Sequence, residues 1–253
     1  MELRDKTILL TGASSGIGLA LGRALSRERV KLALLARREE ILERLAAEWS
    51  GSGTDILPLR CDVSKREDVR KSCLKVKARF GPVDIAILNS GTGHRQDIEH
   101  FDVEKAKAIF DVNVFGLLYF VEELLPDFLL RREGMIVGVS SLSDCRGFPR
   151  SGFYNASKAA ATHLLESLRI ELKPYRVKVV TVKPGFVESE ITERNKYPMP
   201  FLMSADKAAG IIVKGIKKGK RLIQFPRPTV LGCALLRSMP DSLYEKFAGR
   251  ITK

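Results

Sequence analysis

Tyr154 and Lys158 stand four residues apart in the run Tyr154-Asn155-Ala156-Ser157-Lys158. On a helix that spacing puts a phenol and an ammonium on one face, one turn apart. A tyrosine near its free pKa of about 10 is a poor base at neutral pH. A neighbouring cation favours the phenolate, so such a pair can trade a proton with an alcohol or carbonyl oxygen. Y-x-x-x-K alone is more often a surface pair, and its meaning depends on company. Ser141 lies thirteen residues before Tyr154, just past an apolar run, where a hydroxyl could hold a substrate oxygen beside the phenol. Asn113 falls in the long helical stretch before that run. A buried helical asparagine is usually a satisfied core group; here it could also anchor a water that leads protons to Lys158.

A second constellation is Thr11-Gly12-Ala13-Ser14-Ser15-Gly16-Ile17-Gly18, directly after the first apolar run. Glycines at this spacing allow a tight turn and let backbone N–H groups approach a pyrophosphate at a helix N-terminus. The second apolar run ends Leu34-Leu35-Ala36-Arg37-Arg38. In a dinucleotide-binding fold an acid here would bind the ribose 2′-hydroxyl of NAD. Two arginines stand there instead, and a guanidinium fork matches a phosphate. Cations are disfavoured at a helix N-terminus, so plain surface charges are the weaker reading. NADP is expected ahead of NAD.

Short apolar runs at 7–10, 31–36, 56–60, 85–88, 135–139 and 177–182 read as buried strands. Amphipathic stretches at 16–29, 39–50, 65–79, 103–132 and 154–174 read as helices, followed by a helix at 205–218 and a seventh strand at 221–225. Strands alternating with helices imply right-handed crossovers and a parallel sheet covered on both faces. Gly51-Ser52-Gly53 and Gly81-Pro82 punctuate the pattern, but no long linker divides the chain. The expectation is one doubly wound α/β domain over residues 1–253, with about seven strands.

With 253 residues, 45% of them hydrophobic, the chain can bury a large core unaided. Cys61, Cys73, Cys145 and Cys233 are scattered with no C-x-x-C pair, which speaks against a disulfide scaffold and for a reducing, cytoplasmic setting. His94, His100 and His163 share no ligand spacing, so no metal site is expected. The first residues lack a signal-peptide pattern, and no apolar run reaches the ~20 residues that span a bilayer. Of the net charge of +13, ten units fall within residues 194–253. No nucleic-acid module accompanies them, so a DNA or RNA partner is not expected.

Taken in order, these residues resemble the short-chain dehydrogenase/reductase family from about residue 7 to 189. The family's glycine loop falls on Gly12, Gly16 and Gly18, with Ser14, Ser15 and Ile17 between them. Its aspartate–valine after the third strand, which touches adenine, falls on Asp62-Val63. Its N-N-A-G turn appears as Leu88-Asn89-Ser90-Gly91, so Asn89 and Gly91 match while the first asparagine and the alanine are replaced. The helix asparagine matches Asn113, the catalytic serine Ser141 rather than Ser140, and the acid–base pair Tyr154 and Lys158. The proline–glycine on the nicotinamide side matches Pro184-Gly185, with Val187 and Ser189 as further contacts.

The resemblance implies a Rossmann domain that binds NADP (NADPH) and transfers hydride between the nicotinamide and a carbon bearing oxygen. Ser141 would polarise the carbonyl, Tyr154 donate the proton, Lys158 hold the ribose and lower the tyrosine pKa, and Asn113 support the relay. Reduction is expected over oxidation, on a small carbonyl or alcohol whose identity lies in residues 93–101, 142–153 and the substrate loop 188–204. That loop is rich in Tyr197, Met199, Phe201, Leu202 and Met203, which suits an apolar ligand. A homodimer or homotetramer is expected through the helices at 103–132 and 154–174, which carry Phe115, Leu117, Leu118, Phe120, Leu164, Leu165 and Leu168. Two rivals remain. A silent NADP-binding sensor need not keep Asn113, Ser141, Tyr154 and Lys158 together. A peripheral membrane reductase of lipid-like substrates would use the basic C-terminal segment 226–253, where basic residues 214–221 precede the apolar run 230–236.

Overall fold

The computed structural model describes residues 1–49, 53–193 and 198–249. Seven parallel strands form one sheet in the order β3-β2-β1-β4-β5-β6-β7. They are β1 (Thr7–Thr11), β2 (Lys31–Ala36), β3 (Asp55–Arg60), β4 (Ile85–Leu88), β5 (Gly134–Val139), β6 (Val177–Pro184) and β7 (Leu222–Phe225). The expected doubly wound α/β architecture is therefore the one observed. Strands covered on both faces read as continuous apolar runs, and every residue of β1 and β4 is buried. Pro58 in β3 removes a ladder donor, which is tolerated because β3 is an edge strand.

Successive strand residues feed opposite faces. Ile8, Leu10, Leu32, Leu34, Ile85 and Ile87 pack with α1 (Gly16–Leu25), α2 (Glu39–Trp49) and, through Ala208 and Ile212, α8 (Ala205–Lys217). Leu9, Ala33, Leu35, Ala86 and Leu88 face the other way, against α3 (Arg66–Phe80), α5 (Gly116–Arg131) and α6 (Gly152–Glu171). This alternation follows from the two-residue period of a strand.

The long helix expected over 103–132 is not continuous. It runs as α4 (Val103–Phe110), a π-helical turn over Asp111–Phe115, and α5. The widened turn lies where the Asn113 side chain leaves the helix to bind backbone outside it, and π turns often mark functional positions. Other expected boundaries moved by a few residues: α1 stops at Leu25, and the stretch before Pro174 closes as a short 3-10 turn. After β7 the basic segment folds into α9 (Arg227–Ser238) and α10 (Asp241–Gly249), which periodicity did not suggest. A short α7 (Glu190–Glu193) lies in the expected substrate loop; Tyr197, Arg194, Asn195 and Lys196 lie outside the described residues. No described helix is long and apolar enough to cross a membrane.

Candidate active site

The glycine loop, Arg38, Asn89 and Ser141 follow the carboxyl ends of β1, β2, β4 and β5, and strand order reverses between β1 and β4. Open α/β sheets place ligands in that crevice.

The loop leaving β1 is built for a close approach. Gly12 and Gly16 hold positive φ angles of 67° and 50°. A Cβ on Gly18 would lie 2.0 Å from the Gly12 carbonyl oxygen, so only glycine lets the first turn of α1 pass over the loop. Ser15 at the N-cap of α1 makes no side-chain cap bond, which leaves the first amides and the positive end of the helix dipole for an anion. Ile17 packs against the core beneath. Thr11 and Asn89 tie the ends of β1 and β4 together. Thr11 Oγ1 accepts from the amides of Asn89 (2.9 Å) and Ser90 (3.0 Å), and Asn89 Nδ2 donates to the Thr11 carbonyl at 3.1 Å.

At the end of β2 the two arginines part company. Arg37 is exposed, whereas Arg38 turns onto the glycine loop. Arg38 Nη2 donates to Ser14 Oγ at 3.0 Å and Nη1 to Glu190 of α7 at 2.5 Å. Arg38 thus connects β2, the glycine loop and the segment after β6. Asp62 accepts from the Ser64 amide and hydroxyl (3.1 and 2.7 Å) and so turns β3 toward α3, with Val63 buried beside it.

The residues after β5 and those on α6 converge. Ser141 is buried and caps the 3-10 turn Leu142–Cys145. Its Oγ accepts from the Ser143 amide at 3.1 Å and the Ser143 hydroxyl at 3.0 Å, leaving its own proton to donate. Ser140 is turned the other way and donates to the Lys158 carbonyl at 2.8 Å. Lys158 is buried, its Nζ donating to the Val139 carbonyl at 3.0 Å and lying 5.8 Å from the centre of the Tyr154 ring. Burial lowers its ammonium pKa to about 8, because desolvation disfavours the charged form.

Asn113 acts as a clamp. Its Oδ1 accepts from the Thr92 amide at 2.8 Å, and its Nδ2 donates to the Thr92 carbonyl and to Ser157 Oγ, both at 2.9 Å. It therefore holds the segment 91–93 against α6. Glycines keep that segment close to the side chains around it. A Cβ on Gly91 would stand 3.1 Å from Lys158 Nζ and 3.5 Å from Asn113 Oδ1, and one on Gly93 3.0 Å from the Tyr154 ring. Lys158, Asn113 and Tyr154 thus crowd around one short stretch of backbone.

At the end of β6, Pro184 is buried, and the following Gly185 amide donates to the Phe225 carbonyl at 2.7 Å. Val187 is buried in the core and bridges to Met203, so only its backbone can meet a cofactor. Ser189 lies over the loop: a Cβ on Gly16 would come within 2.9 Å of its own.

Residues 6–198 match the short chain dehydrogenase family. The chain belongs to that family. This short-chain dehydrogenase is 34% identical over 250 residues to an uncharacterized oxidoreductase of Myxococcus xanthus, covering 99% of each chain. It is 37% identical over 198 residues to 11-beta-hydroxysteroid dehydrogenase A of Sesamum indicum, covering 78% of this chain and 56% of that one. Among solved structures, a short chain dehydrogenase/reductase from Burkholderia phymatum in complex with NAD superimposes with a TM-score of 0.86 at 25% identity over 94% of both chains. An alcohol dehydrogenase from Thermococcus sibiricus complexed with 5-hydroxy-NADP gives 0.79 at 30% identity, covering 88% of this chain and 95% of that one.

Several contributors to the site had no signal in the local sequence pattern. Arg146 donates to the carbonyls of Leu236 (3.1 Å) and Met239 (2.6 Å) and to Asp241 (2.9 Å), and Tyr244 donates to the Gly147 carbonyl at 2.9 Å. These bonds fasten α9 and α10 to the loop that follows Ser141. Only tertiary contact reveals them.

Proposed function

We propose that this short-chain dehydrogenase is an NADPH-dependent carbonyl reductase of apolar ketones or aldehydes. What supports the reading is Lys158 Nζ, 5.8 Å from the Tyr154 ring and bonded to the Val139 carbonyl, with the neighbouring Ser140 bonded to the Lys158 carbonyl and Ser141 next in the chain. A silent sensor has no use for that arrangement. For the cofactor, the glycine loop, the uncapped α1 and the Arg38–Ser14 pair suit a dinucleotide bearing a 2′-phosphate, and no carboxylate occupies the end of β2. Gly12, Ser14, Ser15, Gly16, Ile17 and Gly18 would cradle the pyrophosphate. Asp62 and Val63 would border the adenine, and Asn89, Gly91, Pro184, Gly185, Val187 and Ser189 the rest.

NADPH, when bound, supplies the hydride. The chain's own residues do the remainder. Ser141 Oγ, with its proton free, donates to the carbonyl oxygen and polarises it. Tyr154 gives its hydroxyl proton to that oxygen as negative charge develops there. Lys158 stabilises the resulting phenolate and holds the nicotinamide ribose. Asn113 keeps the segment 91–93 pressed on Tyr154 and Lys158, so its role is to position the pair rather than to act on substrate.

The substrate loop 188–204 and the aromatic contacts Phe101–Phe153 and Phe148–Tyr244, with ring centres 5.1 and 6.5 Å apart, would wall an apolar pocket. Association into a homodimer or homotetramer would use the helical stretch 103–132 and α6, where Phe115 and Ile170 are exposed while Leu117, Phe120 and Leu165 turn inward. The basic residues 214–221 precede β7 and the apolar stretch of α9 follows it, so the length of a strand separates the two. The reading is tested by fluorescence titration with NADPH and NADH followed by turnover against a panel of apolar carbonyls. Tighter NADPH binding with reduction of at least one carbonyl is expected; tighter NADH binding would refute the cofactor assignment.

A further inference from the structure

Lys183 interrupts the apolar run of β6, between Val182 and Pro184. Its Nζ lies 2.8 Å from Asp144 Oδ2, with the two side chains only 11% and 3% exposed. Other ion pairs among the described residues are less deeply buried. A buried pair of charges is costly to desolvate, and packed apolar residues would serve stability as well or better. Asp144 Oδ1, moreover, is buried with no hydrogen-bond partner among the described residues. The arrangement is therefore poorly explained by stability.

Its connections lead to the reaction centre. Asp144 lies in the 3-10 turn that Ser141 caps. Thr162 Oγ1, on α6, stands 2.6 Å from Asp144 Oδ2 and 2.7 Å from Ser140 Oγ, and Ser140 donates to the Lys158 carbonyl. The pair thus joins three pieces of the site: the end of β6 before Pro184-Gly185, the Ser141 turn, and the α6 segment that carries Tyr154 and Lys158. Neither Asp144 nor Lys183 belongs to the motifs by which the chain resembles its family.

We infer that Asp144 and Lys183 are positioning residues whose buried ion pair holds the Ser141 turn in register with Tyr154 and Lys158. The inference rests on the carbonyl-reductase reading. A misplacement of about 1 Å can cost on the order of 10²-fold in rate, so a loosened turn loses kcat before it loses binding.

The test compares Asp144→Asn, Lys183→Met and the double variant Asp144→Asn/Lys183→Met. Each single change strands one buried charge and lowers Tm. The double change removes both charges yet leaves Thr162 an acceptor, so it folds with a Tm close to wild type. In the double variant kcat is expected to fall roughly ten- to hundred-fold, with KM for the carbonyl and Kd for NADPH within about threefold of wild type. Amide exchange of Ser143, whose N–H is bonded to Ser141 Oγ, is expected to quicken at least about tenfold in the apoprotein while amides of α3 stay unchanged. A double variant that regains both Tm and kcat would overturn the inference, as would single variants with undiminished kcat. Should wild type reduce no carbonyl, the reading of function fails by itself; Ser143 exchange in the apoprotein then decides the strut, and unchanged exchange rejects it.

Discussion

Raising the pH of the apoprotein from 7 to 10.5 should stabilise wild type relative to a Lys158→Met variant. Lys158 is fully enclosed, and burial lowers its pKa from 10.5 to about 8. Below pH 8 both the folded and the unfolded chain carry the proton, and the folded chain bears the cost of a desolvated ammonium. Between pH 8 and 10.5 the folded chain has released it while the unfolded chain still holds it. Stability rises with pH wherever the unfolded state binds more protons. At 1.36 kcal/mol per pH unit the gain across that window is about 3 kcal/mol, or roughly 6–12 °C in Tm for a chain of this size.

Other groups titrate in the same range. Burial raises Cys61 to about 11 and Cys73 to about 12, and both oppose the gain, since the folded state then keeps protons that the unfolded state loses. Their contribution is common to the two proteins and cancels in the difference. The lost Nζ bond to the Val139 carbonyl offsets the variant by a nearly constant amount, so the slope, not the offset, carries the information. Thermal unfolding of both proteins at half-unit pH steps measures it. Parallel curves for wild type and variant would refute the claim that Lys158 is held in a desolvated site.

Arg38→Asp should weaken NADPH at least tenfold and leave NADH unchanged or tighter, whereas Arg37→Asp, at an exposed position, should do much less; fluorescence titration reads both. Glu190→Gln releases Arg38 from an exposed ion pair worth about 0.2–1 kcal/mol, so NADPH should bind up to about fivefold tighter. Ser141→Ala removes one donor to the developing oxyanion and should cost on the order of 10²–10³ in kcat with little change in KM, as steady-state kinetics would record.

The inner strands were legible because they are covered on both faces and read as apolar runs, a property set by neighbouring residues alone. The glycine loop was legible for a related reason: Gly12, Gly16 and Gly18 answer a backbone requirement that no other residue meets. Ser141, Tyr154 and Lys158, the proposed catalytic residues, were singled out by spacing, which helix and strand geometry translates into position. What escaped depends on partners distant in sequence. Nothing local distinguishes Arg38, held by Ser14 and Glu190, from Arg37. The break in the helix at Asn113 is set by the Thr92 backbone and Ser157. The helices α9 and α10 have mixed faces and are fastened by Arg146 and Tyr244. One overlooked signal did lie in the sequence. A lysine inside the apolar run of β6 must find a buried anion, and Lys183 finds Asp144.

The central claim is that hydride passes from NADPH to a substrate carbonyl while Tyr154 supplies the proton. It is tested with NADPH carrying deuterium at both C4 positions of the nicotinamide, mixed with the enzyme and a panel of apolar ketones and aldehydes. Wild type should yield an alcohol with deuterium on the former carbonyl carbon. Tyr154→Phe, which keeps the ring and should keep NADPH binding, should form that product at least about 10²-fold more slowly. A wild-type protein that binds NADPH but labels no carbonyl, or a Tyr154→Phe variant that labels one at the wild-type rate, would contradict the account.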